Sequence, residues 1–232
     1  MDIKILASSS AGNAYYVDGE KPLLLEAGIP FRAIQQKLNF QTSQIVGCLI
    51  SHEHMDHARA AKELLRAGID CYMTKGTADA LAITGHRVHI IESQCQFKIG
   101  NWAILPFGTI HDAAEPVGFL LANQGFKLLY ATDTEYIPYR FKGLSHLLIE
   151  CNYSMEIVRR LKATGELDRE LWRRIINSHM SLETLVDFLK ANDLSQVKEI
   201  WLLHLSDNNS DAALFKQTVQ ETTGKMVQVA CK

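Results

Sequence analysis

The chain has 232 residues, 47% of them hydrophobic and 22% charged, which is long and apolar enough to bury a substantial core and excludes a disordered tail. A formal net charge of −2 excludes recruitment of nucleic acid by a global basic field, though not by a local patch. The five cysteines, Cys48, Cys71, Cys95, Cys151 and Cys231, form no C-x-x-C pair, so neither a disulfide framework nor a thiolate zinc site is expected.

The first segments, "IKILA", "AYYVDG" and "PLLLEAG", are short apolar runs punctuated by Gly, Ser, Asn and Pro, and they predict strands. "IVGCLI" is a further strand, followed by a helix over "HARAAKELLRAG" that Gly68 is placed to end. Next come "IDCYM", a helical "KGTADALAI", then "RVHII", "FKIG", "NWAILPF", "VGFLLA" and "FKLLYAT", all strand-like. "HLLIEC" and "EIWLLHL" predict later buried strands with three helices between them. In "DRELWRRII" the stripe Leu171, Trp172, Ile175 and Ile176 makes one apolar face, with Arg169, Arg173 and Arg174 on others. "SLETLVDFLKAND" begins on Ser181, a good N-cap, with Glu183 where the helix dipole favours it. No basic leader, long apolar segment, internal repeat or Pro-rich linker interrupts the pattern, and the expectation is one soluble cytoplasmic domain mixing sheets and helices, with no membrane partner.

Residues 51–57 read "SHEHMDH", with three of the chain's nine histidines and two carboxylates directly after a buried strand. Strand ends of layered α/β proteins are where loops present reactive side chains. In an extended segment His52 and His54 project to the same side and can meet one cation, while Asp56 and His57 begin the turn into a helix and suit a second. Four ligands do not fill two metal shells. His111, Asp133 and His204 each follow an apolar run and offer the nitrogen and oxygen donors that divalent zinc or manganese accepts; iron is also compatible with a set lacking thiolate.

These residues, H-x-H-x-D-H followed by His111, Asp133 and His204 in order, resemble the metallo-β-lactamase fold hydrolases. "LASSSAGNAYYVDG", "HDAAEPVGF", "ATDTEYI", "SHMS" and "LLHLSDNN" resemble the small YycJ/WalJ-type branch of that superfamily across nearly the whole chain. The resemblance implies an α/β fold, a four-layered αββα sandwich forming a single domain over 1–232, with a dinuclear site along one edge. It implies that His52, His54 and His111 hold one metal, Asp56, His57 and His204 the other, and that Asp133 bridges. Two positions depart from the branch: Glu26 stands where an Asp usually braces the site, and Ser178 precedes His179 where Gly is usual.

Asp56 then has two roles, ligand and orienting group for the attacking water, and His179, held by Glu150, is the candidate proton donor to the leaving oxygen. This pair also resembles the proton-transfer Glu and His of tRNA 3′-processing relatives. Members of the branch act on DNA from a 5′ end, and that is the expected activity. Arg159, Arg160, Arg173, Arg174 and Asn208 are candidate phosphate contacts, against a plain solvated helix face for the arginines and a helix cap for Asn208 and Asn209. Tyr136, Tyr139 and Tyr153 are candidate stacking surfaces. The alternative is a phosphodiesterase of small or cyclic nucleotides, phage-encoded examples included; an RNA-processing nuclease and a non-catalytic nucleic-acid-binding protein are less favoured. Oligomeric state stays open, with a homodimer allowed.

Overall fold

The computed structural model describes residues 2–166 and 168–230; Cys231 and the side chain of Arg169 lie outside them. The chain divides into two compact units, one running to Gly108 and again over Ala113–Asn123, the other taking Thr109–Asp112 and Gln124–Ala230.

In the first unit, β1 (Ile3–Ala7), β2 (Ala14–Val17) and β3 (Leu23–Leu25) pair antiparallel. After α1 (Phe31–Lys37) the sheet continues in parallel through β4 (Gly47–Leu49), β5 (Cys71–Met73) and β6 (Val88–Ile90). The crossovers carry α2 (Met55–Ala58), α3 (Ala61–Arg66) and α4 (Lys75–Ala80). β3 and β4 are buried at every position, because parallel strands are covered on both faces; this is why they read as unbroken apolar runs rather than alternating ones. Their core includes Leu24, Cys48, Ile50, Leu64 and Met73. β7 (Phe97–Ile99), β8 (Trp102–Gly108) and β9 (Val117–Asn123) form an antiparallel meander.

The helix expected over "HARAAKELLRAG" is broken between α2 and α3. Ala60 takes φ −93°, ψ 7° and its N–H donates to the carbonyl of Ala27 at 2.8 Å, so a tertiary hydrogen bond replaces a helical one. Gly68, at φ +88°, ends α3 as expected.

In the second unit, β10 (Phe126–Ala131), β11 (His146–Glu150), β12 (Glu199–Leu203) and β13 (Met226–Val229) are parallel neighbours in chain order. Between β11 and β12 lie α5 (Met155–Thr164), α6 (Arg169–Ser178) and α7 (Leu182–Ala191); α8 (Ala212–Thr223) precedes β13. Ser181 caps α7 by accepting from Thr184 N–H. On α6, Ile175 is buried but Leu171 is 50% exposed, so the expected stripe narrows to Trp172, Ile175 and Ile176, with the Lys162 ammonium 3.8 Å from the Trp172 ring centre. α8 is capped by Asp211, whose carboxylate accepts from Ala213 and Leu214 N–H, and not by Asn208 or Asn209: Asp211 stands immediately before the first helical residue, where a short acceptor reaches those donors. Cys48, Cys71, Cys95 and Cys151 are free thiols. Among the described residues, no helix is long and apolar enough to cross a membrane.

Candidate functional site

In each unit the parallel strands run in one direction, so their carboxyl ends lie along one edge, where α/β sheets present ligand-binding groups. In the first unit this edge carries Glu26 after β3 and Ser51 to His57 after β4. His52 and His57 are buried, and Asp56 keeps 23% of its side chain exposed. The rings of His52 and His54 meet edge to face at 4.7 Å, and those of His52 and His57 lie 4.2 Å apart. Ser51 Oγ lies 2.9 Å from His52 Nδ1, a contact that fixes the ring and directs Nε2 away from it. All four donors therefore occupy one short stretch, as the motif suggests.

Glu26 is fully buried in left-handed backbone at φ +63°. It accepts from Ser51 N–H at 3.2 Å and lies 3.6 Å from His57 Nδ1. Its longer side chain still reaches the ligand loop, so the departure from Asp keeps the bracing contact. Two further braces escaped the sequence reading. Asn13 receives no metal role, yet its backbone N–H donates to Asp56 O at 2.7 Å and its Nδ2 lies 3.2 Å from His57 Nε2. Gly28 packs so closely that a Cβ would sit 1.6 Å from Asp56 O. The available signals were the Ser- and Gly-rich turn "SSSAGN" for Asn13 and the run "LLLEAGI" around Glu26 for Gly28.

In the second unit, Asp133 follows β10, Glu150 ends β11 and His204 follows β12. Asp133 and His204 have φ of +46° and +53°. Left-handed backbone is rare outside glycine and costs on the order of 1–3 kcal/mol at such positions, and it clusters where side chains must be aimed. Ligand atoms of Asp133, Glu150, His179 and His204 lie within 4.8 Å of one another. Asp133 Oδ1 is 3.3 Å from His204 Nδ1, and its Oδ2 is 3.5 Å from His111 Nε2.

Glu150 organises the set. Its Oε2 accepts from Thr134 N–H at 3.0 Å and Met180 N–H at 3.2 Å. Its Oε1 lies 2.7 Å from His179 Nδ1 and 3.1 Å from His204 Nδ1. A carboxylate can only accept, so both imidazoles carry their proton on Nδ1 and direct Nε2 away. Burial pushes Glu150 upward, but His179, by charge and hydrogen bond, and then His204 leave it below the usual carboxylate range. Burial pulls His179 down, and the Glu150 charge and hydrogen bond more than offset this, so it ends above the ordinary imidazole value. His111, lowered chiefly by burial, donates from Nδ1 to the carbonyl of Ser178 at 3.0 Å. Ser178 thus serves through its backbone, which explains why a side chain is tolerated there.

Arg159, Arg160 and Arg173 are exposed on α5 and α6 and make no contact with these donors among the described residues. Arg174 Nε lies 3.8 Å from Asp112, the neighbour of His111. Asn208 is exposed, whereas Tyr153 is 4% exposed. With its hydroxyl pushed up to about 12, chiefly by burial, Tyr153 is a core residue and cannot stack on a ligand.

The family described as beta-lactamase superfamily domain matches residues 23–205. The chain is 28% identical to a Bacillus anthracis protein named exodeoxyribonuclease YycJ over 240 residues, covering 95% of this chain and 88% of that one. It is 30% identical to exodeoxyribonuclease WalJ of Streptococcus pneumoniae serotype 2 over 233 residues, covering 93% and 85%. Its fold is similar to that of the metallo-β-lactamase fold protein YhfI from Bacillus subtilis, with a TM-score of 0.75 and 14% identity over 99% of this chain and 95% of that one. Mixed α/β architecture, a His/Asp donor set suited to divalent cations and these matches agree: the chain belongs to the beta-lactamase superfamily and is one of its metal-dependent hydrolases.

Proposed function

We propose that this protein is a dinuclear metal-dependent phosphodiester hydrolase that removes nucleotides from the 5′ end of DNA. In this reading the two units act as one functional domain over 1–232. His52, His54 and His111 would hold one cation and Asp56, His57 and His204 the other, with Asp133 shared between them. Imidazole and carboxylate donors without thiolate suit zinc, manganese or iron. When bound, such cations supply an acidified water and neutralise charge on a phosphoryl group. Asp56 orients the attacking water.

The observation that carries the reading is the Glu150 and His179 pair. His179 Nδ1 is held at 2.7 Å by a fully buried carboxylate, which directs Nε2 away from it and favours the protonated ring. A leaving sugar oxygen needs a proton; Nε2 delivers it and Glu150 stabilises the imidazolium until it is lost. The names of the YycJ and WalJ relatives, both exodeoxyribonucleases, support DNA and a nuclease. The near-neutral charge of −2 favours a small or cyclic nucleotide as the second reading, since a compact ligand needs no extended basic track. The test compares His54→Ala with His179→Ala. The first is expected to lose metal and turnover together. The second is expected to retain metal and lose about 10²- to 10⁴-fold in rate; full activity in His179→Ala would remove the proton-donor role.

A further inference from the structure

A cleft of about 280 Å³ in the second unit lies between the loop after Asp133 and one face of α7. Tyr136, Tyr139 and Arg140 form the loop side; Thr184, Asp187 and Phe188 form the helix side, at spacings of three and four that place them on one face. Both walls start in the donor set described above. Thr134 donates its N–H to Glu150 Oε2 at 3.0 Å and its hydroxyl to the carbonyl of Tyr136 at 2.9 Å, and α7 begins just after His179 and Met180. The far end is pinned as well: Phe141 N–H donates to Asn192 Oδ1, and Asn192 Nδ2 donates to Phe188 O, both at 2.8 Å. Tyr136 lines the cleft and is 45% exposed, so its ring is open to a ligand.

We propose that this cleft receives the base of the nucleotide whose phosphate is cleaved, stacked on Tyr139 and Tyr136, with Asp187 and Arg140 at its polar edge; the proposal rests on the phosphodiesterase reading above. Three observations select this occupant. The cleft falls just below the range of roughly 300–1,000 Å³ typical of sites for drug-sized ligands, so it suits one base and not an oligonucleotide. Aromatic faces accept every base. Among the described residues, neither Arg140 nor Asp187 is in an ion pair, so an acceptor and a donor remain for the exocyclic groups of a purine. Tyr136 follows Asp133 by three positions, at most about 10 Å of extended backbone, so the loop side of the cleft begins beside the donor set.

The test is calorimetric binding of 2′-deoxyguanosine 5′-monophosphate and of 2-deoxyribose 5-phosphate to the full chain. Both probes carry the same phosphate, so their ratio isolates the base. The wild type is expected to prefer the nucleotide by about 5- to 150-fold, the range for stacking of one base. Tyr139→Ala is expected to erase that preference and Tyr139→Phe to keep it. Asp187→Asn, at an exposed position, is expected to reduce it without disturbing the fold. Equal binding of both probes to the wild type, or an undiminished ratio in Tyr139→Ala, would overturn the proposal. If the ratio behaves as expected but no phosphodiester is turned over, the cleft stands and the hydrolase reading fails; turnover with a ratio of one means the reverse.

Discussion

Replacing Glu150 by Gln keeps the shape of the side chain and changes what it can accept. Glu150 receives four hydrogen bonds, two from backbone N–H groups on Oε2 and two from imidazole Nδ1–H groups on Oε1. Gln satisfies the backbone pair with its oxygen, which turns its amide nitrogen toward His179 and His204. That nitrogen donates, so each ring must move its proton to Nε2 and accept at Nδ1. Each charge-assisted imidazole bond lost is worth about 1.5–3 kcal/mol and each neutral replacement returns about 0.5–1.5 kcal/mol, so the net loss in stability for the two is about 2–3 kcal/mol. His204, protonated at Nε2, can no longer offer that lone pair to a cation, and the affinity at its site is expected to fall about 10- to 100-fold. Thermal unfolding without metal reads the first effect, and competition with a chromophoric chelator reads the second. A Glu150→Gln protein with wild-type unfolding temperature and wild-type metal affinity would refute the tautomer argument.

Other substitutions probe separate links. Gly28→Ala places a Cβ 1.6 Å from Asp56 O and 2.6 Å from Asn13 N, both backbone atoms; the ligand loop must move, with a loss of about 1–3 kcal/mol or more by chemical denaturation and weakened metal retention. Asp211→Ala removes the cap of α8 and is expected to lower stability by about 1 kcal/mol with no change in metal content. Changing Arg159, Arg160, Arg173 and Arg174 together to Ala is expected to weaken binding of single-stranded DNA and flatten its dependence on salt; an unchanged slope in a filter-binding titration would remove α5 and α6 from the nucleic-acid surface.

The donor-rich loop was legible because its chemistry is local: "SHEHMDH" places four nitrogen and oxygen donors in one short stretch after a strand, whatever else the chain does. Strand positions were legible too, since unbroken runs such as "LLL" in β3 follow from burial on both faces. What could not be read depends on distant partners. Glu150 was recognisable as a partner of His179, but its second bond, to His204, spans 54 positions. Asn13 acts through backbone atoms 43 positions away, and no residue type announces that. Positive φ at Glu26, Asp133 and His204 is not announced by residue type: Asp and His tolerate it better than most residues but adopt it at few of their positions, and Glu has no such tendency. The break between α2 and α3 likewise arises from a carbonyl in another segment, that of Ala27.

Turnover measured side by side in manganese and in zinc tests the proposed activity most directly, with 5′-phosphorylated single-stranded DNA, matching RNA and a panel of cyclic mononucleotides as substrates and the His54→Ala protein as contamination control. Stepwise release of nucleotides from the 5′ end of DNA, absent in His54→Ala, is the expected result. Rapid ring opening of a cyclic nucleotide with DNA left intact, or DNA cleavage that persists in His54→Ala, would contradict it.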